Sequence, residues 1–372
     1  MAGGVFTGAN PTYVARELAY QLQDSGAKFL ITAETSLDTA LDAAASIGFP
    51  RENVLAFDDG FATLAGRNTD FRGVRPWSSL LASEAEGQGF AWETFTTREQ
   101  MHATCVLNYS SGTTGVPKGV EITHLNYVAN CQQTEFVAAL DPDYTALLQR
   151  ARGLSFLPMY HAYGQTVHCV SLPMKSIPIY VMRKFDFQRM LEYIERYRIT
   201  SLNLVPPIVV AVAKSPLVKN YDLSSVESTG CGAAPLGREP TVDYEKVFKN
   251  KFQLRQGWGM TELTCSAMGW DPTWSADSSA VGELNPNMEG LIVDEKGTSV
   301  KVGERGELMI RGPNVMKGYW KKPDATKETM TADGWLKTGD IAYREDNGLI
   351  HIVDRTYHQR GDVMSTSPPP RL

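Results

Sequence analysis

Tyr109-Ser-Ser-Gly-Thr-Thr-Gly-Val-Pro-Lys-Gly119 is a short stretch dense in glycine and hydroxyl groups that ends in a single lysine. The apolar run Ala103–Leu107 precedes it and reads as a buried strand. Gly112 and Gly115 let the backbone bend so that several N–H groups converge on one anion. Ser110, Ser111, Thr113 and Thr114 add hydroxyl donors, and Lys118 adds a mobile positive charge. Together these groups suit a polyphosphate. The spacing is not the G-x-x-x-x-G-K-[ST] of the P-loop, because Gly119 follows the lysine and no Ser or Thr stands ready to hold Mg2+. Taken alone, the stretch also reads as a polar surface turn.

Four further segments follow in order. They are Leu157-Pro-Met-Tyr-His-Ala-Tyr-Gly164, Gly230-Cys-Gly-Ala-Ala-Pro-Leu-Gly237, Gln256-Gly-Trp-Gly-Met-Thr-Glu262, and Trp335-Leu-Lys-Thr-Gly-Asp340 with Ile352-Val-Asp-Arg355 behind it. With the stretch at 109–119 they resemble, in content and order, the adenylate-forming (AMP-binding) superfamily of acyl-CoA synthetases, 4-coumarate–CoA ligases, luciferases and peptide-synthetase adenylation domains. The resemblance runs from about residue 2 to Arg355 and is strongest to the 4-coumarate–CoA ligase-like branch. It implies an AMP-forming acid–CoA ligase that uses ATP and Mg2+, with CoA as co-substrate.

Such a reaction is a charge problem. A carboxylate must meet the α-phosphorus of ATP, so cations and donors have to neutralise the charge that develops and the pyrophosphate that leaves. The resemblance gives the β- and γ-phosphates to Ser110, Ser111, Gly112, Thr113, Thr114, Gly115 and Lys118. It gives Mg2+ to Glu262 and the α-phosphate to Thr261. A lone glutamate suits Mg2+, which takes one or two carboxylates together with phosphate oxygens. Without the context, Thr-Glu is a helix start. Gly232, Ala233 and Ala234, with Gly257 and Gly259, leave room for a flat ring, and Trp258 offers an aromatic face to adenine. Their other readings are a tight turn and a core aromatic. Asp340 suits the two ribose hydroxyls, with Arg355 beside it, although Gly-Asp pairs are most often turns.

Tyr160, His161 and Tyr163, with Gly232, Gly257 and Met260, are the expected acyl-pocket residues, and His161 is the expected gate between half-reactions. A packed, hydrogen-bonded histidine is the alternative. Amino-acid-activating relatives carry an aspartate at the start of the Tyr160 motif. This chain has apolar and aromatic residues there, which implies an apolar aryl (cinnamate-like) or fatty acid. Met159 and Met260 tolerate varied apolar shapes.

The 372 residues allow a large core, and a net charge of −6 disfavours nucleic acid as a partner. No apolar run reaches bilayer-spanning length, so no integral membrane contact is expected, and no leader opens the chain. Five scattered cysteines without CxxC spacing imply neither disulfides nor zinc, and the six histidines lack metal spacing. The C-terminal Pro370-Arg371-Leu372 is similar to the peroxisomal Ser-Lys-Leu address, so a cytoplasmic or peroxisomal location is expected. No pattern in the chain speaks to oligomeric state.

Along the first half, helix and strand signals alternate. Helices are expected from Asn10-Pro11 to Gly26, over Thr35–Ile47 and over Phe187–Tyr197, with another starting at Pro207. Strands are expected at Lys28–Thr32, Asn53–Phe57 and Ile199–Val205. Residues 65–100 read as a surface excursion. The expected fold is α/β, with layered, mostly parallel sheets flanked by helices. A shortened adenylate-forming core occupies residues 1–281, and hairpin signals at Asp294–Gly297 and Asp346–Gly348 mark a small β-rich subdomain over 282–353. Residues 354–372 read as a hinge remnant and a disordered tail.

The family's mobile C-terminal lid, with its catalytic lysine, is missing from this reading. The text past Arg355 does not continue the pattern, and Lys337 is the last lysine. A catalytically incomplete nucleotide- or acyl-adenylate-binding remnant is therefore the alternative to a working ligase.

Overall fold

Val14, Leu18 and Leu22 stand four apart, and the chain is helical over Ala15–Ser25 (α1), with Leu18 and Leu22 buried. Gly26 closes the helix at φ 71°, a left-handed value that glycine adopts without strain. The computed structural model describes residues 3–57, 71–91, 93–110, 116–275 and 279–355. The tail Ser365–Leu372, including Pro370-Arg371-Leu372, lies outside them.

The helix does not start at Asn10-Pro11. Asn10 Oδ1 accepts the Thr12 backbone N–H at 3.0 Å and its hydroxyl at 2.9 Å, which closes a separate turn. Glu17 then reaches back to the Val14 N–H at 3.0 Å and opens α1 at Ala15. Strand β1 covers Leu30–Ala33, later than the Lys28–Thr32 expected, and it is buried on one face only, with Ile31 48% exposed. Helix α2 (Leu37–Ser46) leads to β2 (Val54–Phe57). The described part of the 65–100 segment is not purely a surface excursion. Arg75–Pro76 (β3) pairs in parallel with β2, and Phe71 and Val74 enter the core. Pro76 sits there on the edge of the sheet β1-β2-β3, where its missing N–H costs least.

Strands β4 (Thr104–Ser110) and β5 (Lys118–Thr123) form an antiparallel hairpin, and helix α3 (His124–Ala138) follows. The chain then alternates through β6 (Gly153–Ser155), β7 (Ile179–Val181), α4 (Phe187–Tyr197), β8 (Ser201–Leu204), α5 (Pro206–Lys214), β9 (Ser228–Cys231), α6 (Arg238–Val247) and β10 (Arg255–Gln256). These five strands make a parallel sheet in the order β10-β9-β8-β6-β7. Asp186 caps α4 by accepting the Arg189 N–H at 2.8 Å, and its apolar face buries Met190, Leu191 and Ile194. Leu154, Leu202 and Leu204 of the sheet share one core with Val209 and Tyr244 of the flanking helices.

Short strands β11 (Met268–Gly269) and β12 (Glu283–Leu284) pair with each other. Beyond them β13 (Glu289–Val293), β14 (Gly306–Arg311), β16 (Leu336–Arg344) and β17 (Ile350–Arg355) form a four-stranded antiparallel sheet. Between β14 and β16, β15 (Gly318–Tyr319) leaves that sheet and pairs with β5. Leu308, Ile310 and Leu336 enter the same buried cluster as Val120, Ile122 and Leu263, so the antiparallel sheet and the β4–β5 hairpin share one core.

Helix α3 rivets these parts. Asn126 donates to the carbonyls of Pro313 (2.8 Å) and Val315 (2.9 Å), Asn130 to Ser266 (2.6 Å) and Gln133 to Pro286 (2.9 Å). Among the described residues no helix is long and apolar enough to cross a membrane.

Candidate active site

A cleft of about 2030 Å³ runs along β9 and β10 and past their C-terminal ends, where the chain leaves the parallel sheet. Open α/β sheets collect ligands at that edge. On one side stands the β4–β5 hairpin. Ser110 pairs with Lys118 in register. Ser111, Gly112, Thr113, Thr114 and Gly115 lie outside the described residues. Ser110, Pro117 and Lys118 line the cleft, and Thr261 and Glu262 line it too. The two segments meet through Tyr319. The Lys118 ammonium lies 5.0 Å from the centroid of the Tyr319 ring, and the Tyr319 hydroxyl donates to Glu262 Oε1 at 2.8 Å. Burial, then the Glu262 charge, raises the Tyr319 pKa, which keeps that hydroxyl a donor. Tyr319 was not legible as a site residue, since nothing in Met316–Trp320 marks chemistry until β15 is seen to pair with β5.

Glu262, only 6% exposed, sits in a single 3-10 turn, Thr261–Leu263. The next residue, Thr264, holds φ 66° and ψ −53°, and the Cys265 N–H bonds back to the Leu263 carbonyl at 2.7 Å. This is a positive-φ γ-turn, a strained form rarely taken by a β-branched residue. Buried Asn314 holds it: its Nδ2 donates to the carbonyls of Leu263 (2.9 Å) and Ser266 (3.0 Å), and its own carbonyl accepts the Thr264 hydroxyl at 2.8 Å. Asn314 also escaped the sequence reading, being about fifty residues away in an unmarked loop.

The glycines of Gly257-Trp-Gly259 divide by role. A methyl group on Gly257 would meet nothing within 4 Å, so the position faces open cleft. One on Gly259 would come within 1.7 Å of the Cys265 carbonyl oxygen, so this glycine lets the chain fold back on itself. Trp258 donates its indole N–H to Asp340 Oδ2 at 2.8 Å. Asp340, 2% exposed, lies behind that ring, and Arg355 stands opposite it in the β16–β17 register. Lys337, Thr338 and Gly339 bring the same strand to the cleft. Met260 lines it as well.

Gly232 lies against Tyr163, and a methyl group placed on it would stand 3.6 Å from the ring edge. Ala233 beside it takes φ 72°, and both line the cleft, whereas Ala234 does not. Tyr160, His161 and Tyr163 line the cleft too. His161 Nδ1 accepts the Tyr163 N–H at 3.2 Å, and desolvation lowers its pKa, so the imidazole is neutral at neutral pH. Val137, Ala138, Leu147, Leu148, Leu172 and Trp270 give the cleft an apolar part of its lining.

The family model for AMP-binding enzymes matches residues 1–320. A 4-coumarate–CoA ligase of Petroselinum crispum is 37% identical over 363 residues, covering 95% of this chain and 62% of its own. An acyl-CoA synthetase of Alternaria alternata is 33% identical over 360 residues, covering 95% of this chain and 59% of its own. The chain therefore spans about three fifths of the length of these curated relatives. Among solved structures, ATP-bound MatB from Rhodopseudomonas palustris superposes with a TM-score of 0.76 at 24% identity, covering 95% of this chain and 64% of that one. That likeness carries the fold, and the family match carries more: this chain belongs to the AMP-binding enzyme family.

Proposed function

We propose that the cleft binds ATP and an apolar aryl or fatty carboxylic acid and joins them as an acyl-adenylate, which the CoA thiol then converts to a thioester with release of AMP. The observation that carries this reading is the Lys118–Tyr319–Glu262 arrangement, which sets a cation and a buried carboxylate around one ring in one cleft. In the first step a carboxylate oxygen bonds to the α-phosphorus while the bond from that phosphorus to the bridging oxygen breaks, releasing pyrophosphate. Ser110 and Lys118, paired across the hairpin, receive that anion. Neutral His161 meets the substrate carboxylate without adding charge, and the lining at Val137, Leu147 and Trp270 suits an apolar body.

The donor set fits a magnesium ion carried with the nucleotide. Among the described residues no cluster of three His, Cys, Asp or Glu side chains forms a cage, and Glu262 supplies the single carboxylate that Mg2+ bound to phosphates uses. Glu262 would hold the ion, which when bound neutralises phosphate oxygens. Thr261 lines the cleft beside it for the α-phosphate, whereas Asp340, buried and bonded to the Trp258 indole, does not line the cleft as the ribose role would need.

Acid-dependent exchange of pyrophosphate into ATP tests the reading, with cinnamate-like and fatty acids as substrates. Lys118→Ala and Glu262→Ala should each lower exchange by about a hundredfold or more. Exchange that ignores the acid, or survives both substitutions, overturns the assignment. ATP binding without exchange, at saturating acid and CoA, marks a nucleotide-binding chain without turnover.

A further inference from the structure

We propose that Asp24 is a positioning residue that sets the grip on the outer phosphates of the nucleotide; the inference rests on the ATP site proposed above. Asp24 occupies the last turn of α1, where the partial negative charge of a helix end disfavours a carboxylate, and no basic residue in that turn offsets it. Four donors from elsewhere do. Tyr109 donates its hydroxyl to Asp24 Oδ2 at 2.7 Å, and Lys322 pairs with Oδ1 at 3.0 Å. Trp320 Nε1 (3.1 Å) and Lys321 Nζ (3.0 Å) donate to the Asp24 carbonyl. The Asp24 side chain is 12% exposed, so little water competes for these bonds.

The partners matter more than the number of bonds. Tyr109 immediately precedes Ser110, on β4. One turn back on the same face of α1, Tyr20 donates to the carbonyl of Pro117 at 2.9 Å, and Pro117 immediately precedes Lys118, on β5. The Tyr20 and Tyr109 rings meet edge to face, with centroids 6.5 Å apart. Gly119 leaves room for this, because a methyl group there would stand 3.1 Å from the Tyr109 ring. Helix α1 thus holds both strands of the hairpin beside Ser110 and Lys118, which line the cleft. Trp320, Lys321 and Lys322 directly follow Tyr319, the residue between Lys118 and Glu262. One carboxylate therefore ties the hairpin stem to the segment that carries the bridging tyrosine, and so sets the distance between the cationic and carboxylate sides of the cleft.

A tie at that place acts on the part of the nucleotide that reaches Ser110 and Lys118, the outer phosphates, which ATP has and AMP lacks. Calorimetric titration of the full chain with ATP and with AMP reads the difference. Asp24→Ala should weaken ATP binding about tenfold and change AMP binding by less than about twofold. Tyr109→Phe should weaken ATP binding about threefold with the same selectivity. Asp24→Asn should fall between wild type and Asp24→Ala, because its amide oxygen still accepts the Tyr109 hydroxyl. If Asp24→Ala does not fold by circular dichroism, the isosteric Tyr109→Phe variant carries the test.

ATP affinity unchanged in Tyr109→Phe and Asp24→Asn overturns the inference, as does a parallel loss of ATP and AMP, which is what a merely structural staple would produce. A wild-type chain that binds neither nucleotide removes the ATP reading itself and the inference with it. A wild-type chain that binds both, with variants that match it, removes the inference alone.

Discussion

Ala233 holds a left-handed φ of 72° at the lip of the cleft, a conformation that disfavours any residue with a Cβ by about 1 kcal/mol. Ala233→Gly should therefore stabilise the fold by up to about 0.5 kcal/mol in urea melts, since the relief of strain outweighs the added chain entropy. A loss of about 0.5–1 kcal/mol, the chain-entropy cost alone, would show that the turn stores no strain. At this scale the site was partly legible. Glycines and small residues announced close approach at Gly232 and Gly257, and both line the cleft. The sequence does not separate them from Gly259, whose role is to clear the Cys265 carbonyl, because all three are the same letter in similar motifs. Asp24 carried no signal at all. Its partners Tyr109 and Lys322 lie 85 and 298 residues away, and a lone acid at a helix end looks like an ordinary solvated charge.

The segment Gln165–Ser171 is wound as a π-helix and buries His168 with no partner among the described residues on either ring nitrogen. Burial lowers its pKa from 6.5 to about 4. The unfolded chain takes a proton there as pH falls below about 6.5, while the folded chain resists until about 4. The stability from a neutral His168 is thus complete above pH 6.5 and is lost through that window. Wild type should lose about 2 kcal/mol more than His168→Leu between pH 7.5 and pH 5 in urea melts. Equal losses would mean that the ring is already protonated or hydrated in the fold. Elements with strong periodicity were readable: the span Phe187–Tyr197 agrees at both ends, because Asp186 caps it and its apolar stripe is unbroken. The misjudged elements are those decided by side-chain competition or distant pairing. Asn10 diverts the expected helix start into a turn, and β3 exists only because β2 offers it an edge.

Over the whole molecule, the cleft draws on both large cores. The parallel sheet contributes Gly232 and Gly257, and the antiparallel core contributes Lys118, Glu262 and Tyr319. A ligand that touches both sides should stabilise them together. ATP at about a hundred times its dissociation constant should add roughly 2.7 kcal/mol, seen as one coincident shift by tryptophan fluorescence and circular dichroism. Separate shifts by the two probes would mean that the nucleotide holds one core only. The order of the motifs was enough to expect a layered α/β fold, but not the sharing of one core between the β4–β5 hairpin and the antiparallel sheet, since that depends on β15 crossing back to β5.

The riveting of α3 has a consequence for birth on the ribosome. Asn126 waits for the carbonyl of Val315, which is synthesised 189 residues later. At roughly 5–20 residues per second that delay is about ten to forty seconds. Throughout it the nascent helix carries amides made for partners that do not yet exist, so chaperone occupancy on stalled translation intermediates should persist until the Pro313–Val315 segment has emerged.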